Sequence, residues 1–194
     1  MANTEAVRIT LLVTRVLDEL DIPYVIGGSM ASILHGMLRT TMDVDIVADI
    51  QPSQVDPFVA AFQDAFYADD LMIRRAVQRR SSFNLIHFET MFKVDIFLTK
   101  TRAFDQQQLT RRIAVSLGDD DESDVAWVLS AEDIVLAKLD WFRMGGESSE
   151  RQWRDILGVL KTQQKQLDIS YLWQWAEELD LVVLMERALH EMNT

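Results

Sequence analysis

Residues 27–47 read GGSMASILHGMLRTTMDVDIV, and three kinds of backbone follow one another within them. Gly27 and Gly28 permit a tight turn after the apolar run Tyr24-Val25-Ile26, so the passage opens as strand, glycine turn, helix. The helical part, Met30 to Leu34, ends at His35-Gly36. Met42 to Ala48 then alternates as a strand. Its period of two sends the carboxylates of Asp43 and Asp45 to one face and Val44 and Ile46 to the other.

Upstream, Asn3 to Leu20 carries apolar residues at Val7, Leu11, Leu12, Val16 and Leu20, close to helical spacing, and Asp21-Ile22-Pro23 breaks it. Downstream, Gln51-Pro52-Ser53 opens a helix expected to run to about Tyr67, and a second is expected from Asp70 to about Arg79. Ser82 to His87 and Phe92 to Leu98 read as an antiparallel hairpin turning at Glu89-Thr90-Met91. Arg112 to Leu117 and Val125 to Leu129 are candidate edge strands around the acidic run 119–124. After Ser130, which with Asp133 resembles a capping box, every segment has helical periodicity. The expected fold is therefore α+β: a mixed sheet flanked by helices over residues 1–129, with a helical C-terminal subdomain over 130–194.

Asp43-x-Asp45 alone is an ordinary half-exposed strand. It gains meaning from two companions. Gly27-Gly28-Ser29 lies between a strand and a helix, where glycine lets the backbone approach a phosphate and Ser29 adds a hydroxyl. Lys93-Val94-Asp95-Ile96-Phe97 places a lone carboxylate in an apolar strand, where it needs a metal, a cation or solvent beside it. Clustered carboxylates suit hard divalent cations and two-metal phosphoryl chemistry.

GGSMASILHGMLRTTMDVDIV together with KVDIF resembles the signature of nucleotidyltransferases of the DNA polymerase beta superfamily. The resemblance implies that Gly28 and Ser29 hold the β and γ phosphates of a nucleoside triphosphate. It also implies that Asp43, Asp45 and Asp95 bind Mg²⁺, or Mn²⁺, and that Asp95 helps to activate an acceptor hydroxyl. SAEDIVLAKLDWF (130–142) followed by RQWRDILGVL (151–160) is similar to the C-terminal signature of the toxin-like AbiEii-like and MenA-like branch. There a lysine and a later aspartate face the nucleotide, and Lys138 and Asp155 match them; the plainer alternative is an ion pair between neighbouring helices. Arg39 leads into the metal strand, where it either contacts phosphate or positions the loop. His35 is expected to shape the site structurally.

The expected reaction transfers a nucleoside monophosphate to an acceptor hydroxyl, the acceptor being tRNA, a protein side chain or a small hydroxylated molecule. A cognate antitoxin is the further partner that a toxin-type role would bring. The alternative is a non-catalytic module that binds nucleotide or protein through the same fold.

Composition narrows the classes. The net charge of -12 is uneven: residues 1–118 hold 12 Lys+Arg against 14 Asp+Glu, and residues 119–194 hold 7 against 17. Such a surface disfavours non-specific binding to a phosphate backbone. Arg74, Arg75, Arg79 and Arg80 form the densest basic cluster, read as a solvated helix face or a patch for RNA or an anionic acceptor. The five tryptophans are expected mostly in the core. Without cysteine there is no disulfide framework, and no apolar run spans a bilayer, so the expected location is the cytoplasm.

Overall fold

The structure, a computed structural model, describes residues 4–37, 41–118 and 124–192. Arg39 and residues 119–123 of the acidic run lie outside the described residues.

The chain begins with α1 (Thr4–Glu19), whose apolar stripe Ala6, Ile9, Val13 and Leu17 is fully buried. It continues through β1 (Tyr24–Ile26), α2 (Gly28–Leu34), β2 (Asp43–Ala48), a short 3-10 turn at Pro52–Gln54, and α3 (Val55–Phe62). Next come β3 (Phe66–Tyr67), α4 (Asp70–Arg79), β4 (Ser82–His87), β5 (Lys93–Leu98) and α5 (Ala103–Thr110). Strands β6 (Ile113–Ser116) and β7 (Val125–Val128) precede four helices: α6 (Ala131–Met144), α7 (Glu150–Gln163), α8 (Ile169–Glu178) and α9 (Val182–Met192).

The strands form one mixed sheet in the order β3-β4-β5-β2-β1-β7-β6. β4 and β5 are the expected antiparallel pair, while β2 runs parallel to β5 at its centre. Burial alternates strictly along β2, β4 and β5: Val44, Ile46, Phe83, Leu85, Val94 and Ile96 are sealed, and their neighbours are exposed or half-buried. α3 packs on the sealed face, Phe58 meeting Phe83 edge to face at 5.8 Å. α4 packs against β4 on the same side through Ile73, Ala76 and Val77. Burying one side of each strand in this way fixes register, because a one-residue slip would exchange the two faces.

Three local expectations change. The helix after Gln51 ends at Phe62, and Phe66–Tyr67 is a strand, because Phe66 pairs with His87 and Tyr67 with Ile86. α5 was not expected from the sequence. At α6 the Ser130 hydroxyl accepts from the Asp133 backbone N–H (3.2 Å), but the Asp133 side chain does not close a capping box. It is fully buried and accepts from the Tyr171 hydroxyl at 2.7 Å. Burial pushes the Asp133 carboxyl up from its ordinary pKa, the Tyr171 hydrogen bond opposing it. Tyr171→Phe removes that donor from a carboxylate whose Oδ2 already has no hydrogen-bond partner. The expected cost is about 1–3 kcal/mol of stability in denaturant unfolding, with little change in the unfolding slope.

Among the described residues, no helix is long and apolar enough to cross a membrane.

Candidate active site

The parallel pairing of β2 with β5 brings the site together. Asp43 stands beside Lys93, and Asp45 directly beside Asp95, so all four side chains leave the sheet on its less buried face. Adjacent strands lie about 4.8 Å apart, which keeps the carboxylates within strong mutual repulsion.

The first turn of α2 closes over this group. The Gly27 N–H donates to the Asp45 carbonyl at 2.8 Å, tying the glycine turn to β2. Gly28 has φ +55°, and a β-carbon there would lie 1.8 Å from Asp45 Oδ2. Only glycine leaves room for the carboxylate in that position. The Ser32 hydroxyl donates to the Gly28 carbonyl at 3.1 Å and steadies the turn. At the other end, the Thr41 hydroxyl is placed to donate to Asp43, with its oxygen 2.9 Å from the Asp43 carbonyl and 3.0 Å from Oδ1.

Asp45 carries the electrostatic signature of the site. Burial, then the charges of Asp43 and Asp95, push its carboxyl up to about 6, and the opposing pull of Lys138 and Lys93 does not restore it. Lys93 Nζ is ion-paired with Asp95 Oδ2 at 2.7 Å, a partner that sequence reading missed. The same period-two rule that paired Asp43 with Asp45 puts Lys93 and Asp95 on one face, so the signal was present in KVDIF.

Lys138 and Asp155 meet across α6 and α7, Nζ to Oδ2 at 2.9 Å, both buried. This is the inter-helix ion pair that the sequence left as the plainer alternative. Lys138 nevertheless acts on Asp45, so its charge is shared between the helical partner and the carboxylates. His35 Nε2 lies 2.7 Å from the Leu129 carbonyl, which fastens the end of α2 to the segment entering α6. Trp141 is exposed, contrary to a general core role for tryptophan, and meets Phe97 at 6.2 Å.

The donor set fits a hard divalent cation in kind: three oxygen ligands on one face, crowded by like charge and only partly offset by lysine. As placed, no three His, Cys, Asp or Glu side chains are drawn to ligand distance among the described residues. Asp95 is held by Lys93 and Asp43 by Thr41 instead.

No protein-family model matches the chain, and no curated protein sequence matches it. Solved structures do. The antibiotic-resistance factor ANT(2'')-Ia aligns with a TM-score of 0.56 at 13% identity, over 98% of this chain and 97% of that one. An antigenic nucleotidyltransferase-like protein from Paracoccidioides brasiliensis aligns at 0.54 and 18% identity, over 82% and 77%. A Thermotoga maritima protein assigned as a nucleotidyltransferase aligns at 0.53 and 17% identity, over 80% and 96%. These likenesses show that the chain has the nucleotidyltransferase fold.

Proposed function

We propose that the chain transfers a nucleoside monophosphate from a nucleoside triphosphate to an acceptor hydroxyl. The observation that carries this reading is the register that sets Asp45 beside Asp95, with Gly28 pressed against the Asp45 carboxylate. A carboxylate pair formed across two strands and roofed by a glycine turn is an arrangement for holding a phosphate chain and its cation.

In the proposed reaction the acceptor oxygen bonds to the α-phosphorus. The bond from that phosphorus to the oxygen bridging the β-phosphate breaks, and pyrophosphate leaves with the bonding electrons. Gly28 and Ser29 hold the phosphate chain, their lack of bulk allowing close approach. Asp95, oriented by Lys93, takes the proton of the attacking hydroxyl. Mg²⁺ or Mn²⁺ held by Asp43, Asp45 and Asp95 would supply charge neutralisation and Lewis-acid polarisation at the phosphates. Lys138 offsets negative charge as pyrophosphate departs, and Asp155 positions it. The similarity of residues 130–160 to the toxin-type branch supports a toxin-like role, and with it a cognate antitoxin.

The test incubates the protein with each α-labelled nucleoside triphosphate, a divalent cation and cell extract. Label should enter a macromolecule or a small molecule with release of pyrophosphate, and Asp95→Asn should lower the rate by at least about 10²-fold. Absence of transfer with every nucleotide and both cations would overturn the reading.

A further inference from the structure

The face that bears the carboxylates continues past β5 onto β4 and β3. Cross-strand pairs put Asn84 opposite Asp95, Ile86 opposite Lys93, Ser82 opposite Phe97, and Tyr67 opposite Ile86. Directly paired residues share a face, so these side chains prolong the surface on which Asp95 stands. That surface is open. Tyr67 is 50% exposed and Ser82 is exposed, while Asn84, Ile86 and Phe97 are half-buried; the alternate residues Phe66, Phe83 and Leu85 are sealed beneath. Trp141 of α6, 53% exposed, borders it beside Phe97.

We infer that this open half of the sheet binds the acceptor, and that the acceptor is a small, amphipathic hydroxyl compound that is uncharged or cationic. The inference rests on the transferase reading, since it places the second substrate next to Asp95.

Size is the first argument. With strands about 4.8 Å apart and residues rising about 3.4 Å each, Tyr67 lies roughly 12 Å from Asp95, a span for one small molecule. Chemistry is the second. Ile86, Tyr67 and Phe97 offer an apolar and aromatic floor, and Asn84, one strand from Asp95, offers both a donor and an acceptor for a hydroxyl about to react. Charge is the third. On β3, β4 and β5 this face carries one cationic side chain, Lys93, and it is already paired with Asp95, while Lys138 of α6 acts at Asp45. Beyond the site proposed for the triphosphate and its cation, a phosphate backbone laid over Tyr67, Ser82, Asn84 and Ile86 would find no cation among them.

The basic cluster does not alter that balance. Arg74 pairs with Asp56 and Asp70, and Arg80 with Asp49. Arg75 and Arg79 belong to α4, which packs on the opposite side of the sheet, and of the acceptor-face residues named above the cleft of about 400 Å³ that they line includes Ser82 alone, at the end of β4.

The experiment supplies labelled nucleotide and Mg²⁺ with three separate fractions of cell extract: small molecules, RNA and protein. Wild type should label the small-molecule fraction. Asn84→Ala and the surface variant Tyr67→Ala should lower that transfer by at least tenfold and raise the amount of fraction needed for half-maximal rate. Retention of labelled nucleotide and the thermal midpoint should stay at the wild-type level in both variants. Label entering RNA or protein instead, or variants that transfer as well as wild type, would overturn the acceptor assignment while leaving the transferase reading intact. RNA labelling that disappears in Arg75→Ser would move the acceptor to the α4 flank. Failure of the wild type to retain nucleotide would sink the transferase reading itself, and this inference with it.

Discussion

Asp45→Asn should make the protein more stable in the presence of chelator and, at the same time, nearly inactive. In the fold this carboxyl is pushed up to about 6 from 3.8, first by burial and then by Asp43 and Asp95. Between those two values the folded state binds more protons than the unfolded state, so stability falls as pH rises through the window and stays lower above it. The asparagine carries no charge to repel. Below pH 4 the variant and wild type should therefore unfold alike, and above pH 6 the variant should gain about 1–3 kcal/mol, solvent screening of this half-buried group setting the lower bound. Transfer activity should fall by at least about 10³-fold, on the order of 4 kcal/mol of transition-state stabilisation. Chelator-treated protein melted across this pH range, with turnover measured in Mg²⁺, checks both halves. A variant that loses stability and activity together would mean that Asp45 serves the fold.

Gly28→Ala should lose on both counts. Its backbone is left-handed, φ +55°, and the added methyl would fall 1.8 Å from Asp45 Oδ2, so the carboxylate must move. The conformational strain and displacement should cost on the order of 1–3 kcal/mol in stability. A shift of about 1 Å in a reacting group is enough for roughly a 10²-fold loss of rate. Gly27→Ala is the control. Its β-carbon would meet the end of the Leu129 side chain at 3.3 Å, which can yield, so its stability should fall less than that of Gly28→Ala.

These two positions also show how much was written in the sequence. Asp43, Asp45 and Asp95 were legible because a strand's period of two is a local rule and a carboxylate in an apolar strand is conspicuous. The glycine turn was legible for the same local reason. That Asp45 and Asp95 become neighbours is a different kind of fact. It depends on β2 and β5 running parallel in register, across more than forty intervening residues, and no window of sequence contains it. β3 was missed because two residues have no period, and they become a strand only by pairing with His87 and Ile86. α5 was missed because Ala103–Thr110 has no clear apolar stripe: Phe104 and Gln108 are its buried residues, one of them polar. Asn84 has an unremarkable place in SFNLIH and acquires interest only opposite Asp95. Lys138 and Asp155 were singled out by resemblance, and the structure shows them as an ion pair holding α6 to α7.

The most direct test of the central claim is retention of labelled ATP in Mg²⁺ by wild type and by the double variant Asp43→Ala with Asp45→Ala. The carboxylate site predicts saturable, chelator-sensitive binding to wild type and at least a tenfold loss in the double variant, with its fold intact by circular dichroism. Binding that survives both substitutions unchanged would contradict it.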